Sequence, residues 1–125
     1  MNSDKANYQG LIEALRLIAM PYQEQVDALP SFVSPADEIA LIFDDSYKTV
    51  ESVVRTWDVS DDVVQALTNL DRALNEMSDN RELWNLDALK NSVEWSKCRE
   101  LAQRILIGLH EPLEIPNLAH VKFIK

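Results

Sequence analysis

The chain reads as an all-α protein, a compact bundle of five or six helices followed by an extended C-terminal tail. Three observations carry this reading. Only 2 of the 125 residues are glycine, so few positions are free to adopt the left-handed backbone that tight hairpins require. The strong helix formers Ala, Leu, Glu, Lys, Arg and Gln are plentiful. Apolar residues recur at three- and four-residue steps, the spacing that gathers them on one helix face. A chain of this length buries roughly two-thirds of the surface its unfolded form exposes, enough for one core. No internal repeat, linker or low-complexity tract divides it, so residues 1–125 read as a single helical domain with 111–125 as the tail packed on it.

In the first segment Tyr8, Leu11, Ile12, Leu15, Ile18, Ala19, Tyr22, Val26 and Leu29 share one helical stripe. Pro21 interrupts it, and the phase continues beyond, so the helix is either kinked there or restarts with the proline in its first turn. A connection from Leu29 ends in a start signal: Ser34 as cap, Pro35 at the first helical position, Asp37 and Glu38 at the positive end of the dipole. The helix so opened is expected to bury Ile39, Ile42, Phe43, Tyr47, Val50, Val54 and Trp57 and to end near Trp57. Ser60 caps the next helix, whose Val63, Leu67, Leu70, Leu74 and Met77 form a 4-3-4-3 seam suited to antiparallel packing.

Ser78-Asp79-Asn80 breaks the pattern, and Leu83 and Trp84 supply an apolar anchor. Asn85 or a neighbour caps a short helix through Leu86 and Leu89, and Ser92 caps the last long one. That helix buries Trp95, Cys98, Leu101, Ala102, Ile105, Leu106 and Leu109, with Gly108 near its end. After His110, Pro112 and Pro116 oppose a further helix, and the final residues alternate weakly, like a strand.

Composition excludes several classes of function. A single cysteine, Cys98, forms no internal disulfide, and with only His110 and His120 the chain cannot assemble a Cys/His zinc site. The start of the chain has no secretory pattern and no apolar run approaches membrane-spanning length, so a reducing cytoplasm is the expected location. A net charge of -9 opposes direct nucleic-acid binding. Phosphate-cradling glycine loops, nucleophile elbows and helical zinc-protease motifs are absent from the sequence. His110 falls at a helix C-terminal turn and His120 in the tail, and Cys98 lies on an inner helix face where a thiol behaves as a small apolar group. The chain is therefore expected not to be an enzyme and to need no cofactor.

The positive clue is charge asymmetry. Between Gln23 and Asp62 there are ten acids against Lys48 and Arg55, so nearly all of the net charge lies in this third of the chain. Asp37, Asp44, Glu51 and Asp58 recur every seven residues, as along one slowly drifting helical stripe, and Asp61 and Asp62 open the following helix. Individually such acids serve helix starts or weak i,i+4 pairs. Concentrated together they repel one another, yet they speed capture of a basic partner. Phe43, Tyr47, Trp57, Trp84 and Trp95 read chiefly as core anchors. Trp57 and Tyr22, near helix breaks, are the aromatic residues placed to serve as interface anchors.

The stretch LPSFVSPADEIALIFDDSY, Leu29 to Tyr47, and the pattern LW..DAL..S.EW...RELA, Leu83 to Ala102, resemble small acidic helical immunity proteins of bacterial toxin systems, among them those of contact-dependent growth inhibition. The resemblance implies tight binding to a cognate toxin domain, commonly a nuclease, neutralised by covering its active site or a neighbouring surface. Nuclease toxins tend to be basic because they approach phosphates, and an acidic inhibitor competes for that surface as a polyanion. The expected partner-binding residues are Asp37, Asp44, Asp45, Glu51, Trp57, Asp58, Asp61 and Asp62. A helical adaptor or regulator of another basic protein is the alternative. A third class, a small enzyme with an all-carboxylate metal site, requires three or four acids pointing inward.

Overall fold

Residues 2–123 are described by the structure, a computed structural model. Ile124 and Lys125, the end of the expected tail, lie outside the described residues. The order is α1 (Asn2–Ala19), α2 (Tyr22–Asp27), α3 (Pro35–Tyr47), α4 (Val50–Thr56), α5 (Asp61–Met77), a 3-10 turn (Arg81–Leu83), α6 (Leu86–Asn91) and α7 (Val93–Gly108), with no strand among the described residues. The all-α class holds, but with seven α-helices instead of five or six.

Two breaks explain the difference. Pro21 brings no N–H and takes an extended backbone, φ -58° and ψ 156°, so α1 stops and α2 starts afresh with Gln25 N donating to Pro21 O. The second break overturns the helix expected from Pro35 through Trp57. It ends at Tyr47 and restarts at Val50, with Thr49 at φ -106° and ψ 15°. Thr49 Oγ1 donates to Ser46 O at 3.2 Å, and Ser46 Oγ donates across to Gly10 O in α1 at 3.3 Å. Hydroxyls that bond nearby carbonyls offer the backbone an alternative to the helical ladder.

Three of the expected caps form. Ser60 Oγ accepts from Val63 N at 3.4 Å, Asn85 Oδ1 from Ala88 N at 2.8 Å and Ser92 Oγ from Trp95 N at 3.1 Å. Ser34 does not act as a side-chain cap, contrary to the sequence expectation: its backbone is extended and Pro35 follows at the first helical position, but its hydroxyl makes no cap bond. Start geometry at α3 therefore rests on proline's preset φ and on Glu38 N donating to Ser34 O at 3.0 Å.

The organising element is α1. Every residue from Leu11 to Met20 is buried, so over the second half of α1 the single apolar stripe read from the sequence is replaced by a helix covered on all sides. Gln103 Nε2 donates to Ala19 O at 3.0 Å while Tyr8 reaches Glu111, which sets α7 antiparallel to α1. Ser46 beside Gly10 and Ser52 beside Asp4 place the end of α3 and the start of α4 along the first half of α1. α5 buries its predicted seam and runs antiparallel to α7, with Met77 Sδ 3.8 Å from Cys98 Sγ.

At the opposite end of this α5/α7 pair, a Cβ on Gly108 would lie 2.5 Å from Val63 Cγ2. Valine is stiff at χ1 and gives way poorly. Gly108→Ala is therefore expected to destabilise by about 1–3 kcal/mol, despite alanine's better helix propensity, because it overpacks this contact. A urea midpoint below that of the parent chain checks it, and a rise would show that α5 and α7 can separate freely.

Candidate interaction surface

The structure leaves the predicted acids in solvent. Asp37, Asp44 and Asp45 are exposed on α3, Glu51 on α4, Asp58 just after α4, and Asp61 and Asp62 in the first turn of α5. They do not form the single stripe that the seven-residue spacing suggests, because the α3/α4 break separates Asp37 and Asp44 from Glu51 and Asp58. Asp58 adopts φ 48°, a left-handed conformation that aspartate tolerates better than most residues because its short polar chain bonds locally. Asp37 and Asp44 remain on one face of α3, two turns and roughly 10 Å apart.

The charge of α3 is felt on α5 as repulsion between carboxylates. Asp71, on α5, is pushed above the usual carboxylate range, first by burial and then by the negative charge of Asp44. Among these acids Asp45 has a basic neighbour, Lys48 Nζ at 3.4 Å, with both side chains largely in water. An exposed pair of this kind contributes little.

Trp57 packs inward, in keeping with its reading as a core anchor, while part of its ring stays open to solvent. Its ring is half-buried and stacks on Tyr8 at 4.6 Å with 13° between planes, and it packs against the core. It clamps the end of α4 to α1. Tyr22, the other aromatic expected near a break, is also half-buried, with Lys90 Nζ 5.8 Å above its ring.

Beside the acids of α3 runs a groove of about 840 Å³. One wall is α3, with Glu38, Leu41, Ile42 and Asp45. The other walls come from Ala6 and Gly10 of α1 and from His120, Val121 and Lys122 after the last helix. Sequence reasoning missed it, since the groove is assembled from three distant segments. The one local signal is Leu41, an apolar residue on the acidic side of α3 and 60% exposed.

The bundle also contains polar chemistry absent from the sequence reading. Glu13 and Arg16 are buried on α1 and bonded through Glu13 Oε2 and Arg16 Nη1 at 3.0 Å. Arg16 Nη2 reaches Glu111 at 3.3 Å and Glu114 at 3.4 Å, and Arg16 Nε donates to Pro112 O at 3.1 Å. Glu13 accepts further from Asn117 N at 2.9 Å and from Gln9 Nε2. Tyr8 Oη donates to Glu111 at 2.7 Å, and its phenol is held well above its usual range by burial, by that bond and by the carboxylate charge. The segment after His110 is thus tied to α1 by charge-assisted bonds, while Pro116 is buried and Leu118, Val121 and Phe123 pack on the core. An i,i+3 Glu/Arg pair inside an apolar helix was the available sequence signal.

A second polar group, built on buried Gln25 and half-buried Arg99, links α7 to its neighbours. Arg99 donates to Gln25 Oε1 at 3.1 Å and to Leu89 O, and Gln25 in turn donates to Leu17 O and Ile18 O, joining α7, α6, α2 and α1. Burial works against the Arg99 charge. The Cys98 thiol is fully buried and pushed up to about 11, chiefly by that burial, which disfavours the reactive thiolate. His110 and His120 are exposed. Among the described residues no three His, Cys, Asp or Glu side chains are grouped so as to hold a metal ion, and no helix is long and apolar enough to cross a membrane.

Comparison with protein-family models, with curated proteins and with solved structures finds no match for this chain.

Proposed function

We propose that this protein is a non-enzymatic binding protein whose acidic surface captures a basic protein domain, and specifically that it is an immunity protein neutralising a cognate nuclease toxin. The observation that carries the reading is the exposure of Asp37, Asp44, Asp45, Glu51, Asp58, Asp61 and Asp62 on neighbouring helices, with Lys48 pairing Asp45. An excess of negative charge over one part of the chain attracts a cationic partner and speeds its capture. The resemblance of Leu29–Tyr47 and Leu83–Ala102 to acidic immunity proteins supplies the class of partner. The reading places the protein in a reducing cytoplasm. It treats the segment after His110 as an extended tail whose work is to close the bundle, since Glu13 and Arg16 hold it.

The test is the dissociation constant, at two salt concentrations, between this protein and the folded domain encoded immediately upstream of it. Binding at nanomolar concentration or tighter is expected, with association slowing as salt rises. Reversing charge at Asp44, Asp45, Asp61 and Asp62 should slow association further and flatten the salt dependence. Unchanged affinity and salt dependence in that variant would sink the acidic-surface reading. No binding to the folded domain would move the assignment to an adaptor of another basic protein.

A further inference from the structure

Leu41 stands out among the exposed apolar residues because of its surroundings. On α3 its neighbours three and four positions away are Asp37, Glu38, Asp44 and Asp45, so an apolar side chain 60% open to water is ringed on its own helix by four carboxylates. Leu41 also lines the groove, together with Ile42, Ala6, Gly10 and Val121. A single exposed leucine is ordinary on a protein surface; what sets Leu41 apart is its place in a groove among four carboxylates. Interfaces concentrate binding energy in this arrangement, with an apolar anchor at the centre and a polar rim that excludes water.

Charge decides what can enter. A second copy of this chain carries the same net charge of -9 and would set acid against acid at the rim. Lys48 and Lys122 also line the groove, Lys48 paired with Asp45, while all four charged neighbours of Leu41 at three and four positions along α3 are acidic. We infer that the groove between α1, α3 and the segment 120–122 receives an amphipathic cationic segment of the partner protein. An apolar side chain of that segment packs on Leu41, Ile42 and Val121 while its Lys or Arg residues pair with Asp37, Glu38, Asp44 and Asp45. The inference rests on the reading that a basic protein docks on the acidic surface, and adds where and with what kind of segment.

The experiment uses the full chain and, as probe, an amphipathic helical peptide built of Leu and Lys. Its binding is measured by titration with amide chemical shifts recorded throughout. Shifts should concentrate at Ala6, Gly10, Leu41, Ile42 and Val121. Leu41→Gln should weaken binding at least about tenfold, as loss of a central anchor does. Ile107→Gln, which removes an apolar residue 74% exposed on α7, should change it less than about twofold if the groove is the site. Both side chains are exposed, so neither variant is expected to disturb folding, and unchanged thermal unfolding verifies this. Equal effects of the two variants, or none at Leu41, would overturn the groove proposal. If reversing Asp44 and Asp45 still weakens binding in that case, the acidic-surface reading survives alone, and if charge reversal also has no effect, both fall. A dimer in sedimentation that Leu41→Gln dissociates would replace the cationic segment by a second copy.

Discussion

Arg16→Met should lower the unfolding free energy by about 3–5 kcal/mol, because it leaves the buried Glu13 carboxylate without its cation. The side chains of both residues are almost wholly removed from water, 6% and 5% exposed. A lone carboxylate there must either stay charged in a poor solvent or take up a proton. The same substitution removes the bonds from Arg16 to Pro112 O and Glu111 and the ion pair with Glu114. Hydrogen exchange at Asn117, whose N–H donates to Glu13, should accelerate along with global unfolding. Urea denaturation measures the loss. The double variant Glu13→Leu/Arg16→Met separates charge from packing: replacing both partners by apolar groups should recover much of the stability lost by Arg16→Met alone. A single variant as stable as the parent would show that water reaches Glu13.

Trp95→Ala is the second large effect. Trp95 is fully buried at the start of α7, packs edge-on against Trp84 with centroids 5.5 Å apart, and donates from Nε1 to Leu83 O at 2.7 Å. Trp84 Nε1 donates likewise to Met77 O at 2.9 Å. The two indoles thereby secure the irregular passage from α5 through the 3-10 turn to α6. Truncation opens a cavity and orphans the Leu83 carbonyl, at a cost of about 3–5 kcal/mol. The melting temperature should fall by roughly 10–20 °C. Trp95→Phe keeps most of the volume and should lose less, so similar losses for Phe and Ala would assign the stability to the hydrogen bond.

Both predictions concern residues that sequence reading treated unequally, and the reason is physical. Trp95 was legible because it falls in phase with Cys98, Leu101, Ala102 and Ile105, and burial follows from phase. Glu13 and Arg16 were not, because a charged residue is ordinarily assigned to solvent and its burial depends on partners more than ninety residues away. The caps at Ser60, Asn85 and Ser92 were legible, since the bonds they make span three residues. The break at Thr49 was not: the apolar phase runs through it, and one of the bonds holding Ser46 comes from a different helix.

The acidic surface divides in the same way. That it exists follows from composition, because ten acids against two bases in a stretch of helices cannot all be buried or paired. Its shape does not, since the heptad spacing of Asp37, Asp44, Glu51 and Asp58 has meaning only on an unbroken helix.

The all-α class, most helix starts, the α5 and α7 core faces and the concentration of negative charge were determined by the sequence alone, because each depends on residue type over spans of one to a few helical turns. Tertiary structure alone decided that the second half of α1 is enclosed on every side, that Trp57 stacks on Tyr8, and that Leu41 borders a groove with Ala6 and Val121. Those outcomes depend on which distant segments meet, and local periodicity carries no record of that.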